Sequence, residues 1–184
     1  MTTLSLARPR SRAVQLTGIV GFAVALALAS QVAVPLPFTP VPITLQPMLV
    51  VLAGLWLGPR AGAASLVLYL LAGASGLPVF TPMGAPGLAR LVGPTGGYLL
   101  AYPLAAAVTG LLADRASGLT MRIGAALAGM LVLYLGGLAQ LAVITGSLQQ
   151  AALFGVLPFA ALDAVKAVVA ALLAPKSPAS RALS

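Results

Sequence analysis

Long apolar runs, separated by turn-forming and charged residues, dominate the chain. Within each run the apolar residues are consecutive and do not alternate with polar ones, which favours helices over the strands of a membrane β-barrel. A bilayer core about 30 Å thick needs roughly 20 apolar residues in a helix. The pattern therefore predicts an all-α integral membrane protein with six transmembrane helices, the second of them short for a full crossing. The predicted spans are residues 13–33, 45–57, 62–74, 98–113, 123–144 and 154–174.

The composition agrees with a membrane protein. Hydrophobic residues make up 60% of the 184 residues and charged residues only 7%, whereas a soluble domain carries about 25% charged residues. We expect one membrane domain at 13–174, a basic tail at 1–12 and a second tail at 175–184. The basic start resembles a secretory signal, but the apolar run of about 18 residues that follows has no clear cleavage site, so we interpret it as a retained span.

The distribution of positive charge predicts the orientation. If the N-terminus is cytoplasmic, only Arg90 lies outside, and Lys166 lies within the sixth span. This asymmetry follows the positive-inside rule and requires an even number of spans, so we expect both termini in the cytoplasm. The net charge of +8 does not indicate a nucleic-acid partner, because the basic residues are mostly scattered singly. The basic residues expected inside are Arg8, Arg10, Arg12, Arg60, Arg115, Arg122, Lys176 and Arg181.

Two proline- and glycine-rich connections fall on the external side. They read PLPFTPVPITLQP at 35–47 and SGLPVFTPMGAPGLARLVGPTGG at 75–97, and they are nearly free of charge. In the bilayer region, irregular backbone is tolerated where it is buried in protein or lines a cavity. We therefore expect external lid loops between helices 1 and 2 and between helices 3 and 4, folded back over the bundle. Stiff surface turns are the alternative.

Several kinds of catalysis are disfavoured by the residues that the chain lacks. Without histidine or cysteine there are no ligands for a zinc centre and no Ser-His-Asp or Cys-His nucleophile system. The two acidic residues, Asp114 and Asp163, belong to different spans, which argues against paired-carboxylate chemistry. No phosphate-binding loop for ATP is present. We predict that the chain is not an enzyme and has no catalytic residue, metal or cofactor.

One ion pair lies inside an apolar helix. In ALDAVKAVVAALLA, residues 161–174, Asp163 and Lys166 are three positions apart and project from one helix face. A charge at the centre of a transmembrane helix costs roughly 2.5–3.5 kcal/mol on insertion scales. Such residues are functional-site candidates by default, and a structural ion pair is the alternative.

Small residues recur on the first span. In GFAVALALAS, Ala23 and Ala27 are four positions apart, a spacing that lets helix backbones approach closely. The pattern predicts contact with a partner subunit or, equally, packing within the bundle.

Three segments of the chain closely resemble the biotin-transporter family BioY. They are PLPFTPVPITLQPMLVVLAGLWLGPRAG, YLLAGASGLPVFTPMGAPGLARLVGPTGGYLLAYPLAA and PFAALDAVKAVVAALLA. The resemblance extends from about residue 15 to residue 174, nearly the whole chain, and PFTPVPITLQ and GPTGGY are its most specific motifs.

This resemblance implies a function and partners. The family comprises substrate-binding (S) subunits of energy-coupling factor (ECF) transporters, which are vitamin importers of prokaryotes. It implies high-affinity biotin capture and uptake by a multi-pass protein of the cytoplasmic membrane, surrounded by lipid. It also implies a transmembrane coupling subunit and a pair of ATPases as partners, although some members lack a dedicated coupling module.

The Asp-x-x-Lys pair suits one end of biotin. Asp163 can accept hydrogen bonds from the ureido N–H groups, and Lys166 can donate to the ureido oxygen, with charge assistance in both cases. Pairing of Lys166 with the valerate carboxylate ranks second, because two side chains one helical turn apart more easily reach the same end of an extended ligand.

Further lining positions follow from the loops. We expect Thr44, Gln46 and Tyr98 to contact biotin, although an interfacial anchor is an equal alternative for Tyr98. Thr81 is the choice after GLPVF, where TPMGAPG departs from the usual small polar or glycine-rich family pattern. The lid and apolar pocket residues are Phe38, Phe80 and Gly97. Arg90 either attracts the ligand carboxylate or is solvated.

Other functions compete with biotin capture. They are an S component for another small vitamin, a lipid-modifying membrane enzyme that uses Asp163 as a base, and a passive channel or assembly scaffold. The lack of a second nearby acid disfavours the enzyme.

Overall fold

The helices begin and end close to the glycine and proline residues that interrupt the apolar runs. A computed structural model describes residues 12–175, so the greater part of both predicted tails, with Arg8, Arg10, Lys176 and Arg181, lies outside the described residues. The elements in chain order are α1 (Arg12–Ser30), β1 (Ala33–Leu36), β2 (Thr39–Thr44), α2 (Gln46–Leu57), α3 (Pro59–Ala74), α4 (Leu88–Val92), α5 (Gly96–Ala113), α6 (Leu119–Thr145), α7 (Leu148–Gly155) and α8 (Ala160–Leu173).

Within residues 12–175, three helices are long and apolar enough to cross a bilayer. They are α1, α5 and α6, and α7 with α8 passes the same test if the bent pair is counted as one span. The helices α2 and α3 have only 12 and 16 residues, fewer than the roughly 20 of a typical span. All six predicted spans coincide with helix, and the helical membrane fold is confirmed. The count of six crossings stays a prediction.

Two local details differ from what the sequence suggested. The chain is mainly helical as predicted, but its first connection folds into an antiparallel hairpin of β1 and β2 with an irregularity between Val34 and Leu36. The sixth span is also not continuous, since α7 and α8 meet at an angle of 53° across residues 156–159. Pro158 lies in this break, where a residue without a backbone N–H interrupts helical hydrogen bonding.

Small residues allow the helices to pack closely around α5, which contacts α2, α3 and α6. A Cβ atom added at Gly110 would lie 2.5 Å from the backbone nitrogen of Pro59, and one added at Gly136 would lie 2.6 Å from the carbonyl oxygen of Gly97. Close approach of this kind stabilises helix pairs in membranes, where van der Waals packing is a main driving force for association.

The same packing explains the alanine pattern on α1. Ala23 is buried in the hydrophobic core and Ala27 packs against that core. These contacts favour the alternative of packing within the bundle, and contact of Ala23 and Ala27 with a partner subunit stays a prediction. The exposed face of α1 carries larger side chains, among them Val20, Val24 and Leu28.

Arg60 and Arg122 lie at the same end of the bundle. Gly110, near the end of α5, lies against the turn that precedes Arg60. Arg122, near the start of α6, donates a 2.8 Å hydrogen bond to the carbonyl oxygen of Ala174 at the end of α8. The hairpin and the 75–97 connection lie at the opposite end, together with Arg90.

Candidate binding cavity

A cavity opens beneath the hairpin and the 75–97 connection. Its empty volume, which includes space open to solvent, is about 740 Å³. Both connections contribute to its wall, through Val41 and Thr44 on β2 and through Phe80 and Thr81 farther along. The helices α2, α5, α6 and α8 complete the wall.

The predicted ion pair lies in this wall. Lys166 Nζ is 2.8 Å from Asp163 Oδ1, and only 5% of Asp163 and 7% of Lys166 are exposed. Lys166 also donates to the carbonyl oxygen of Thr44 at 2.7 Å, which ties α8 to the end of β2. The hydroxyl of Tyr134 donates to Asp163 Oδ2 at 2.7 Å. Each carboxylate oxygen thus has one donor and retains acceptor capacity for a ligand.

A second polar cluster surrounds Gln46 at the start of α2. Its amide nitrogen donates to the hydroxyl of Tyr69 at 2.9 Å, and its amide oxygen lies 3.5 Å from Thr81 Oγ1. Tyr69 in turn makes an edge-to-face contact with Phe80, the ring centroids being 5.4 Å apart. These contacts join α2, α3 and the 75–97 connection in one part of the cavity wall.

Arg90 is a buried cation without a counter-ion. It is only 8% exposed and lines the cavity. Its guanidinium donates to two backbone carbonyls, those of Ala85 at 3.0 Å and of Thr81, and no carboxylate of residues 12–175 lies within salt-bridge distance of it. Burial lowers the pKa of Arg90 from its ordinary value, and interaction with Tyr69 partly opposes the shift. Arginine nevertheless stays charged at neutral pH.

Apolar and aromatic side chains form the rest of the wall. Tyr98 fits against α6 and α7, because a Cβ atom at Gly137 or Gly155 would collide with it, and its hydroxyl donates to the carbonyl oxygen of Gly155 at 2.5 Å. Few polar groups in a mainly apolar surface are typical of small-molecule sites. Further apolar and aromatic wall residues are Leu99, Tyr102, Met130, Leu133 and Phe159.

Seven of the nine residues predicted to bind biotin or to form the lid and apolar pocket line the cavity, and two do not. Phe38 lies in the turn between β1 and β2, is 58% exposed and does not line the cavity, so its assignment to the pocket is corrected. Gly97 faces α6 instead of the cavity, since a Cβ there would meet the backbone of Gly136 and the side chain of Gln140. The seven residues that line the cavity are Thr44, Gln46, Phe80, Thr81, Tyr98, Asp163 and Lys166.

Sequence reasoning missed Tyr134 and Tyr102 and left Arg90 undecided. A phenol in an otherwise aliphatic span was the available signal for the two tyrosines. Which side of a helix faces the cavity is decided by packing, and the apolar residues of α6 do not mark that side. For Arg90, the deciding fact is burial within a connection, which the sequence pattern does not reveal.

Together these features define a class: a multi-pass helical membrane protein with a mainly apolar cavity at the end opposite its basic turns. Comparison of the sequence with known proteins shows which family within this class the chain resembles. The model of the BioY family matches residues 2–182. A Pyrococcus horikoshii protein named "Probable biotin transporter BioY" is 44% identical over 73% of this chain and 79% of its own length.

Two further relatives carry the name "Biotin transporter BioY". The Thermotoga maritima protein is 39% identical over 77% of this chain and 83% of its own. The Rhizobium etli protein is 40% identical over 82% of this chain and 85% of its own length. A solved structure, the S-component for biotin from an ECF-type ABC transporter, superposes with a TM-score of 0.81 at 26% identity and covers 91% of this chain and 92% of that one. The chain belongs to the BioY family, and the predicted family membership is confirmed.

Proposed function

We propose that this protein captures biotin with high affinity and serves as the S component of an ECF-type vitamin transporter in the cytoplasmic membrane of a prokaryote. The observation that carries the proposal is the buried cavity that combines an Asp–Lys pair with a separate, unpaired cation. The Asp–Lys pair and the separate cation together match biotin, because biotin has a polar ureido ring at one end and a carboxylate at the other.

The Asp–Lys pair suits the ureido group. Asp163 retains acceptor capacity on both oxygens, so it can accept from the ureido N–H groups. The ammonium of Lys166 has three N–H donors, two of which serve Asp163 and Thr44, and the third is available for the ureido oxygen. Hydrogen bonds to ionised groups are roughly twice as strong as neutral ones.

The carboxylate of biotin suits Arg90 better than Lys166. Lys166 is already neutralised by Asp163, whereas Arg90 is a buried cation that lacks an anionic partner in the described chain. Burying a charge is unfavourable unless it is paired. A ligand carboxylate beside Arg90 would supply that pair, and the valerate would extend along the apolar wall between the two polar clusters.

Uptake requires partners that supply energy. The sequence has no phosphate-binding loop, so ATP hydrolysis belongs to partner ATPases, linked to this chain by a transmembrane coupling subunit. The similarity to a solved S-component for biotin from an ECF-type ABC transporter supports this assignment.

Equilibrium binding of labelled biotin to the purified protein tests the proposal. We expect tight binding by the wild type and a loss of at least 100-fold in affinity for Asp163→Asn and for Lys166→Ala, since each leaves a buried charge without its partner. The matched control is Asp114→Asn, which changes the other acidic residue, at the end of α5 away from the cavity.

Three outcomes of the binding measurement distinguish the proposed function from its alternatives. Binding by the wild type and by Asp114→Asn alone supports the proposal. A folded wild type that does not bind biotin refutes it, and binding of a different vitamin would identify the cargo. Wild-type affinity in both cavity variants would make the Asp–Lys pair structural.

A further inference from the structure

A short stretch of chain, residues 77–83, forms one wall of the cavity through Phe80 and Thr81; we call it the wall segment. It lies between Gly76 and Gly84, which both have φ of 97°. Residues other than glycine rarely adopt this backbone conformation. Nothing lies within 4 Å of a Cβ position at Gly76. The wall segment therefore has a conformationally permissive glycine at each end. Its position depends on the contacts that the residues between these two glycines make with the rest of the protein.

The end of α1 provides contacts from outside the cavity. Ser30 is completely buried, and its hydroxyl oxygen lies 2.5 Å from the carbonyl oxygen of Val79 and 2.7 Å from that of Ala27. The amide nitrogen of Gln31 lies 2.9 Å from Ser30 Oγ. The amide of Gln31 donates to Ser30, and the single proton of the serine hydroxyl is shared between the carbonyls of Ala27 and Val79, of which Val79 is the nearer.

Gln31 extends the same contact to the neighbouring carbonyls. Its amide nitrogen is 3.3 Å from the carbonyl oxygens of both Pro78 and Phe80. The side chains of Ser30, the last residue of α1, and of the next residue, Gln31, thus approach three consecutive backbone carbonyls of the wall segment. These side chains do not line the cavity.

The opposite side of the wall segment faces the site. A Cβ atom at Gly73 would collide with the ring of Phe80, so that ring is seated on α3, and Thr81 contacts both Gln46 and Arg90. Any movement of the carbonyls held by α1 would displace the two side chains that line the cavity and the carbonyl that holds Arg90.

We infer that Ser30 and Gln31 are positioning residues for the ligand site: they hold the wall segment against the end of α1 and thereby set the rate at which bound ligand leaves. This inference rests on the proposed function, since biotin is the ligand with which it is tested. Loss of the contacts would let the segment move about Gly76 and Gly84 and open the cavity on that side.

Dissociation kinetics of labelled biotin test the inference in purified Ser30→Ala and Gln31→Leu proteins. The loss of a buried hydrogen bond is worth roughly a factor of ten, so we expect dissociation to be about tenfold faster in Ser30→Ala and severalfold faster in Gln31→Leu. Association should be unchanged or faster. The control is Ser75→Ala, whose hydroxyl donates only to Ala72 within its own helical turn.

Hydrogen exchange of the ligand-free protein gives a second readout that a general loss of stability would not reproduce. We expect faster exchange at 77–83 in both variants and unchanged exchange in α5 and α6. Gln31 is exposed, so Gln31→Leu keeps the test available if Ser30→Ala does not fold.

Wild-type dissociation rates together with wild-type exchange at 77–83 would overturn the inference. Exchange that rises equally throughout the chain would also overturn it, because the residues would then be structural. Absence of biotin binding by the wild type would instead refute the proposed function, and the exchange measurement would still decide whether α1 holds the wall segment.

Discussion

At the scale of single residues, the cavity contains one carboxylate, and its orientation is set by two helices. Lys166 on the same helix contacts Asp163 Oδ1, and Tyr134 on α6 contacts Oδ2. The lysine neutralises the charge, whereas the tyrosine hydroxyl fixes the carboxylate plane without adding charge. We therefore regard Tyr134 as a residue that acts on the ligand through Asp163.

Tyr134→Phe should weaken biotin binding about tenfold, because one hydrogen bond to a charged group is lost while the ring remains. The same substitution in an Asp163→Asn background should have almost no further effect. Binding titrations of the four proteins form a double-mutant cycle that measures the coupling. Equal effects of Tyr134→Phe in both backgrounds would mean that the tyrosine acts independently of Asp163.

The proposal for Arg90 leads to a ligand-dependent prediction. Arg90→Gln should weaken biotin by roughly 10- to 100-fold, since the carboxylate loses a buried charged partner, and should weaken a carboxylate-blocked biotin amide much less. Lys166→Ala should affect both ligands equally if Lys166 serves the ureido end. Competition titrations with the two ligands measure both ratios. The reverse pattern would place the carboxylate at Lys166.

At the scale of helices and strands, close contact between α5 and α6 depends on glycine. Gly97 and Gly136 face one another, and a Cβ on Gly136 would lie 2.6 Å from Ala101 Cβ. Gly124, farther toward the start of α6, has nothing within 4 Å of its Cβ position. Gly124 and Gly136 thus differ in packing although both lie in α6.

Gly136→Ala should therefore destabilise the protein by about 1–3 kcal/mol through overpacking, although alanine is intrinsically the better helix former. Gly124→Ala is the control and should be neutral or slightly stabilising. Thermal unfolding in detergent measures both changes. Equal melting temperatures for the two variants would show that the helix contact does not require glycine.

The positions of the helices followed from the sequence more readily than their lengths and breaks. Apolar runs with glycine and proline boundaries located all the long helices within a few residues. The hairpin was missed because Pro35, Pro37, Pro40 and Pro42 disfavour strands in general, yet a two-stranded ribbon leaves half of its backbone N–H groups unpaired and tolerates them. The bend at Pro158 was missed because the apolar pattern continues through it.

Some of the candidate binding residues could likewise be predicted from the sequence, whereas others could not. Asp163 and Lys166 were identifiable because an ion pair in an apolar helix has few explanations, and several loop residues followed from the family resemblance. Tyr134 and Arg90 needed the fold, because the tyrosine's contact comes from a helix 29 residues away in sequence and the burial of the arginine comes from how its loop folds. Phe38 and Gly97 were assigned to the pocket from loop position alone.

At the scale of the whole molecule, the described basic turns and the cavity lie at opposite ends. If the positive-inside rule sets the orientation, the cavity opens to the outside. The natural chain contains no cysteine, so a single introduced cysteine reports its own side of the membrane without background.

We predict that Gln149→Cys, at the start of α7 on the cavity end, reacts with a membrane-impermeant maleimide in intact cells. Ser117→Cys, in the turn between α5 and α6, should react only after permeabilisation. Both positions are exposed, so the two variants serve as controls for one another. Labelling of Ser117→Cys in intact cells would reverse the orientation.

The unpaired guanidinium has a consequence for the response to membrane voltage. Asp163, Lys166 and Arg90 together give the empty cavity one net positive charge, and a ligand carboxylate brings that charge to zero. Moving one elementary charge through the full potential changes the free energy by about 2.3 kcal/mol per 100 mV. The membrane potential would therefore act on any transmembrane movement of the empty site and leave the loaded site unaffected, so that cargo crosses as an electrically neutral unit.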